Sequence, residues 1–181
     1  MNETNLMNSQ ISAYNRYLLH KKQTVIQFDR VSSAIEQPNK NMDDPIAPYR
    51  IAIAEIHLLY IAMRNTWKMI VVVLEGIDEK KAIDFKTETR CQRFFNEVDE
   101  VRNYFEHYDE RIQGTAKQKF KPVKSSPEAG ERQIHVGLSG FNFKFSDKEF
   151  DVGVETKNTY IEITSVFENL IDDEPFKSFI V

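Results

Sequence analysis

The chain has 181 residues, 41% of them apolar and 29% charged, enough for one domain with a core of its own. Its net charge of −4 excludes a globally basic nucleic-acid coat but leaves room for a local basic patch. A single cysteine, Cys91, excludes an internal disulfide and a cysteine-based metal cluster, and it suits a reducing cytoplasm, where we expect the protein.

In chain order, Met1 to Gln10 is polar and has neither the basic nor the apolar region of a signal peptide. Ile11, Tyr14, Leu18, Val25, Phe28, Val31 and Ile35 hold one stripe and predict a helix from Leu6 to Glu36. Gln37 to Pro48 reads as a loop, and Asp44-Pro45 marks the next helix start. That helix runs to about Glu75. Ile53, Ile56, Tyr60, Met63, Trp67, Ile70 and Leu74 step by three and four. Ile51, Leu58, Ile61 and Val71 to Val73 carry the apolar surface nearly all round, so the helix is either central or part of a subunit interface. Glu55, His57, Arg64, Asn65 and Lys68 interrupt it too often for a membrane span.

Gly76 to Asp84 reads as a polar connection. Phe94, Val98, Val101, Phe105, Tyr108 and Ile112 predict a third helix from Phe85 to Gln113, ended by Gly114. A basic flexible loop is then expected at 114–133, where Lys117, Lys119, Lys121 and Lys124 surround Phe120. Lysines would contact RNA phosphate there, and the ring would stack a base. Beyond it the apolar period changes to two. Ile134, Val136 and Leu138, then Phe141, Phe143 and Phe145, then Phe150, Val152 and Val154 predict three antiparallel strands, with a tight turn at Ser139-Gly140. A fourth helix is expected from a capping box of Thr159 and Glu162, with Tyr160, Ile163, Phe167, Leu170 and Ile171 on one side. From Asp147 to Glu174 there are nine acids against two lysines, which does not suit a nucleic-acid surface. The tail ending in Phe179-Ile180-Val181 is expected to dock on the body. The fold class is therefore mainly α (α+β): a helical bundle over 1–113, the basic loop at 114–133, and at 134–181 a meander covered by the C-terminal helix.

Chemistry concentrates in Arg102-Asn103-Tyr104-Phe105-Glu106-His107. An arginine fork holds phosphate and an imidazole moves protons near neutral pH, neither needing a metal. Arg102-Asn103-x3-His107 resembles the R-x4-6-H motif of the HEPN superfamily, over roughly residues 6 to 113. The resemblance implies an RNA-binding protein or metal-independent endoribonuclease, of the kind found in toxin–antitoxin and defence systems. It implies that Arg102 steadies the phosphate, His107 is general acid or base, and Asn103 orients one of them. It also implies products with a 2′,3′-cyclic phosphate and a 5′-hydroxyl, and a site composed where two chains pair. Five residues apart on a regular helix, Arg102 and His107 point about 140° from each other. They can therefore act together only through a helix distortion or a second subunit.

Arg50 and His57 fit the same spacing, and we read that match as accidental. Arg102 and Glu106 also form an i,i+4 pair, which leaves His107 as a surface or interface histidine if the motif is merely structural. Glu55, His57, Glu106, His107 and Asp109 lack the spacing of a di-iron bundle, so neither a metal nor another cofactor is expected. Cys91 lies between arginines with no partnered histidine, and His20 and His135 stand alone. A homodimer is expected, through the second helix or the motif helix, with RNA and a cognate protein as further partners and no membrane contact. The alternative function is a non-catalytic dimeric interaction module, using the dimer surface, the acidic C-terminal part and the apolar tail.

Overall fold

A computed structural model describes residues 3–36, 47–106, 136–145 and 148–179. Two long helices, α1 (Glu3–Glu36) and α2 (Ala47–Ile77), form its spine. They run antiparallel: Gln10 Nε2 donates to Gly76 O (2.5 Å) near one end, and Gln27 donates to Glu55 towards the other. Apolar residues at helical spacing meet along this seam, so Tyr14, Tyr17, Phe28 and Val31 of α1 and Ile56, Leu59, Met63 and Ile70 of α2 are all buried.

The expected polar connection after α2 is itself helical. Asp78 accepts a hydrogen bond from Lys80 N (2.8 Å) and so caps α3 (Glu79–Thr87), which buries Ala82 and Phe85. The chain leaves helical geometry at Glu88 (φ −57°, ψ 128°), and the Glu88 carboxylate accepts from Cys91 N (2.7 Å) to start α4 (Thr89–Glu106). A single third helix from Phe85 is therefore corrected to two, because local capping at Asp78 and Glu88 outweighs an apolar pattern that runs through the break. The expected continuation past Glu106 to Gln113 lies outside the described residues.

The meander is present as β1 (Val136–Ser139), β2 (Asn142–Phe145) and β3 (Lys148–Asp151), antiparallel in the order β1-β2-β3. Leu138 pairs with Phe143, and Phe143 with Phe150, which sets the apolar face. Gly140 takes φ 57° in the β1–β2 turn, a left-handed conformation that suits glycine. Phe143 on the apolar face stacks on Phe105 of α4 (5.4 Å between ring centroids). The last helix, α5 (Val154–Leu170), follows β3 directly, contacts it, and packs into the helical core. It starts five residues before the expected Thr159 cap. Asp151 accepts from Gly153 N (3.1 Å) and Thr156 N (2.9 Å), and it fixes the helix start from the strand side. Val154, expected in a strand, is then the first helical residue and is exposed. Leu170 also turns out exposed, while Tyr160, Ile163, Phe167 and Ile171 are buried as expected.

A short 3-10 turn, Pro175–Phe179, brings the tail back to the body, where Phe176 meets Tyr14 edge-on (5.6 Å). Phe167 lies at the meeting point of Tyr14, Tyr17 and Phe85. Among the described residues no helix is long and apolar enough to cross a membrane. Phe167→Ala should lower stability by about 3–5 kcal/mol, because three fixed rings cannot collapse into the space it leaves. The shift of the urea midpoint, followed by Trp67 fluorescence, measures it; a loss within ordinary surface values would contradict this packing.

Candidate functional site at the end of helix α4

The buried face of α4 carries Cys91, Phe94, Phe95, Val98, Val101 and Tyr104. This stripe presses α4 against α2, where Trp67 stacks on Phe95 (3.8 Å, 19° between planes) and Arg64 forms an ion pair with Asp99. Arg102 flanks the stripe and stays partly exposed in the last described turn. Its guanidinium holds the Glu106 carboxylate at 2.5 Å and donates to Asn103 Oδ1 at 3.3 Å. Asn103 Oδ1 thus lies within hydrogen-bonding reach of the Arg102 fork. The i,i+4 pair with Glu106 is also formed, and it occupies the fork a phosphate would use.

His107 follows directly but lies outside the described residues, as do His135 and the lysines Lys117, Lys119, Lys121 and Lys124. The imidazole that does stand beside Arg102 comes from another helix. His57 of α2 stacks on Phe105 (4.5 Å, 16°), and Phe105 stacks in turn on Phe143 of β2. His57 Nε2 is buried with no hydrogen-bond partner among the described residues. Burial holds its pKa below the ordinary histidine value; nearby Glu106 pushes it up and Arg102 pushes it down. His57, Arg102 and Glu106 are thus one electrostatic group drawn from two helices. The sequence offered His57 only as a match to Arg50 or as a metal ligand. The usable signal was its place on the flank of α2 that must face the apolar stripe of α4.

Other candidates separate from this group. Glu55 receives the Gln27 amide on the α1 side. Among the described residues no cluster of His, Cys, Asp and Glu could hold a metal ion. Cys91 is buried and its thiol is pushed up to about 12, chiefly by that burial, which excludes a ready thiolate. A cleft of about 530 Å³ lies between α4, β3 and α5, and Glu97, Glu149, Asp151, Glu155 and Glu162 outnumber Arg90 and Arg93 in its lining. Burial raises the Glu97 pKa, with Arg93 opposing. Five carboxylates repel phosphate, so this side suits no nucleic acid.

A buried group with a missing partner costs about 1–3 kcal/mol, whereas an apolar group of the same shape does not. His57→Phe, which keeps the ring stack, should therefore be neutral or stabilising by up to about 1 kcal/mol at pH 8. Because the folded pKa is depressed, the unfolded chain takes up the proton first as pH falls. The wild type then loses stability below about pH 6.5, and the variant's advantage widens on acidification. Urea unfolding at pH 8 and pH 5 measures this gap, and a gap that does not change with pH would refute the assignment. Compared with family models, with curated proteins and with solved structures, the chain matches none.

Proposed function

We propose that the end of α4 is a phosphate-binding site for RNA and that the protein is a HEPN-like RNA-binding protein or metal-independent endoribonuclease of the toxin or defence kind. The observation that carries this reading is Arg102: partly exposed, within hydrogen-bonding reach of Asn103, and five residues before His107. Arg102 would neutralise the phosphate, and His107 would move the proton to or from the ribose oxygens. The lysines at 117, 119, 121 and 124 would hold the flanking backbone. The Glu106 pair is no obstacle in energy. A partly exposed i,i+4 ion pair contributes about 0.3–0.5 kcal/mol, less than a charge-assisted bidentate hydrogen bond to phosphate supplies.

The alternative, a non-catalytic dimeric interaction module, is favoured by the same pair read differently: Glu106 supplies Arg102 with a complete partner from its own helix. The two readings separate cleanly. Incubated with RNA in EDTA, the wild type should yield 2′,3′-cyclic phosphate ends. His107→Ala and Arg102→Ala should each slow cleavage by about 10²-fold or more. Glu106→Gln, which frees the fork, should tighten RNA binding in low salt. Intact RNA, together with unchanged binding in Glu106→Gln and Arg102→Ala, would leave the module.

A further inference from the structure

The cleft between α4, β3 and α5 runs on, at the Lys148 side, into a second hollow of about 540 Å³; the two share Arg93, Glu97, Glu149 and Phe150 in their walls. Together they make one trough, lined by the carboxylates of Glu97, Glu100, Glu149, Asp151, Glu155 and Glu162 against Arg90, Arg93 and Lys148. Four of these acids are already engaged. Glu162 pairs with Arg90 (2.5 Å), Glu149 with Lys144 (3.0 Å) and Glu100 with Lys148, while Asp151 caps α5. Glu97 and Glu155 have no ion pair among the described residues. Glu97 is half-buried. Burial disfavours its charge, and so do Glu100, Asp151 and Glu155, with Arg93 opposing them.

Acids alone make a solvated surface. What marks these is Tyr60 of α2 beneath them. Tyr60 is 0% exposed, and its hydroxyl has no hydrogen-bond partner among the described residues. The charges that act on this hydroxyl are Glu97 and Asp151, both in the trough wall, so it points at the trough from below. A buried hydroxyl left without a partner destabilises the fold. An N–H donor seated between Glu97 and Asp151 gives its oxygen that partner and leaves its own proton to a carboxylate. The shape of the trough selects the donor. Its carboxylates are strung out and do not converge, and among the described residues no group of them could hold a metal ion. Phe94 and Phe150 lie in the wall between them. Methylene stems cover such rings while their charged ends reach the acids. Charges joined by short apolar chains are those of a linear polyamine. A basic peptide carries its charges on branches from a polar backbone, which the two rings do not favour.

We infer that the trough between α4, β3 and α5 binds a linear polyamine, with one ammonium seated over Tyr60 between Glu97 and Asp151 and the chain running on towards Glu155. The site does not depend on what the Arg102 group binds. Calorimetric titration of the whole chain with spermidine in low salt tests it. Spermidine should bind saturably. It should bind more tightly than Mg²⁺ at equal ionic strength, and more tightly than trilysine, which has the same net charge. Glu97→Gln and Glu155→Gln should each weaken binding about tenfold or more, because each removes a charge-assisted partner. Glu79→Gln removes the same charge from an exposed position on α3 and should leave binding unchanged. Tyr60→Phe keeps the ring, should fold with unchanged circular dichroism, and should weaken binding about fivefold through the lost hydroxyl. Absent saturable binding, equal or tighter binding of Mg²⁺ or trilysine, Glu97→Gln no weaker than Glu79→Gln, or Tyr60→Phe as tight as wild type would each overturn the inference. A protein that binds spermidine and leaves RNA untouched would fail the RNA reading alone.

Discussion

Helix α2 must satisfy several neighbours at once, and the rest of the fold is arranged around that demand. Its apolar surface is too wide for one partner. Helix α1 lies against one flank, α3 and α4 against another, and α5 reaches it through a buried hydroxyl chain. There Tyr160 donates to Thr66 (3.2 Å), and Thr66 meets Thr24 of α1 (3.1 Å). Each threonine has one hydroxyl proton, so one of the two donates across the pair while the other donates back to its own helix, at His20 O or Ala62 O. A buried polar cluster is favourable only when its members are satisfied together. The three helices are therefore held at one depth and one rotation, which plain apolar contact would not specify.

That fixed rotation builds the back of the candidate site. Phe105 lies between the His57 ring and Phe143, so α2, α4 and the meander meet in one aromatic stack. Offset rings of this kind contribute about 0.5–1.5 kcal/mol per pair beyond their burial. The front is looser, because Arg102 is held by a single partly exposed pair worth less than one such stack. A rigid back with a displaceable front is what a group must have if it is to exchange one anion for another without moving its helix.

The helices and the meander were legible because apolar residues repeat locally in the sequence: a step of three and four in α1, α2 and α4, and a step of two from Val136 to Phe145. Their ends were less so. Glu88 breaks an apolar pattern that continues on both sides, and only its carboxylate on Cys91 N reveals the break. The start of α5 depends on Asp151 in the preceding strand, a contact five residues long that outweighs the Thr159 and Glu162 signature. The meeting of His57 with Arg102 could not be read from either helix alone. They are 45 positions apart in the sequence, and nothing in the period of one helix states which flank the other will occupy.

The position of His57 also sharpens which imidazole could do chemistry under the proposed function. A general acid or base must exchange its proton with substrate near the operating pH. His57 keeps Nε2 buried, its ring face is covered by Phe105, and burial disfavours its charged form. It is suited to back the Arg102 turn and not to move protons. The proton role then falls to His107, in the residue after Glu106, or to an imidazole supplied by a second chain. On a straight helix Arg102 and His107 diverge by about 140°, so the two side chains cannot close on one phosphate within one protomer unless the helix departs from regular geometry after Glu106.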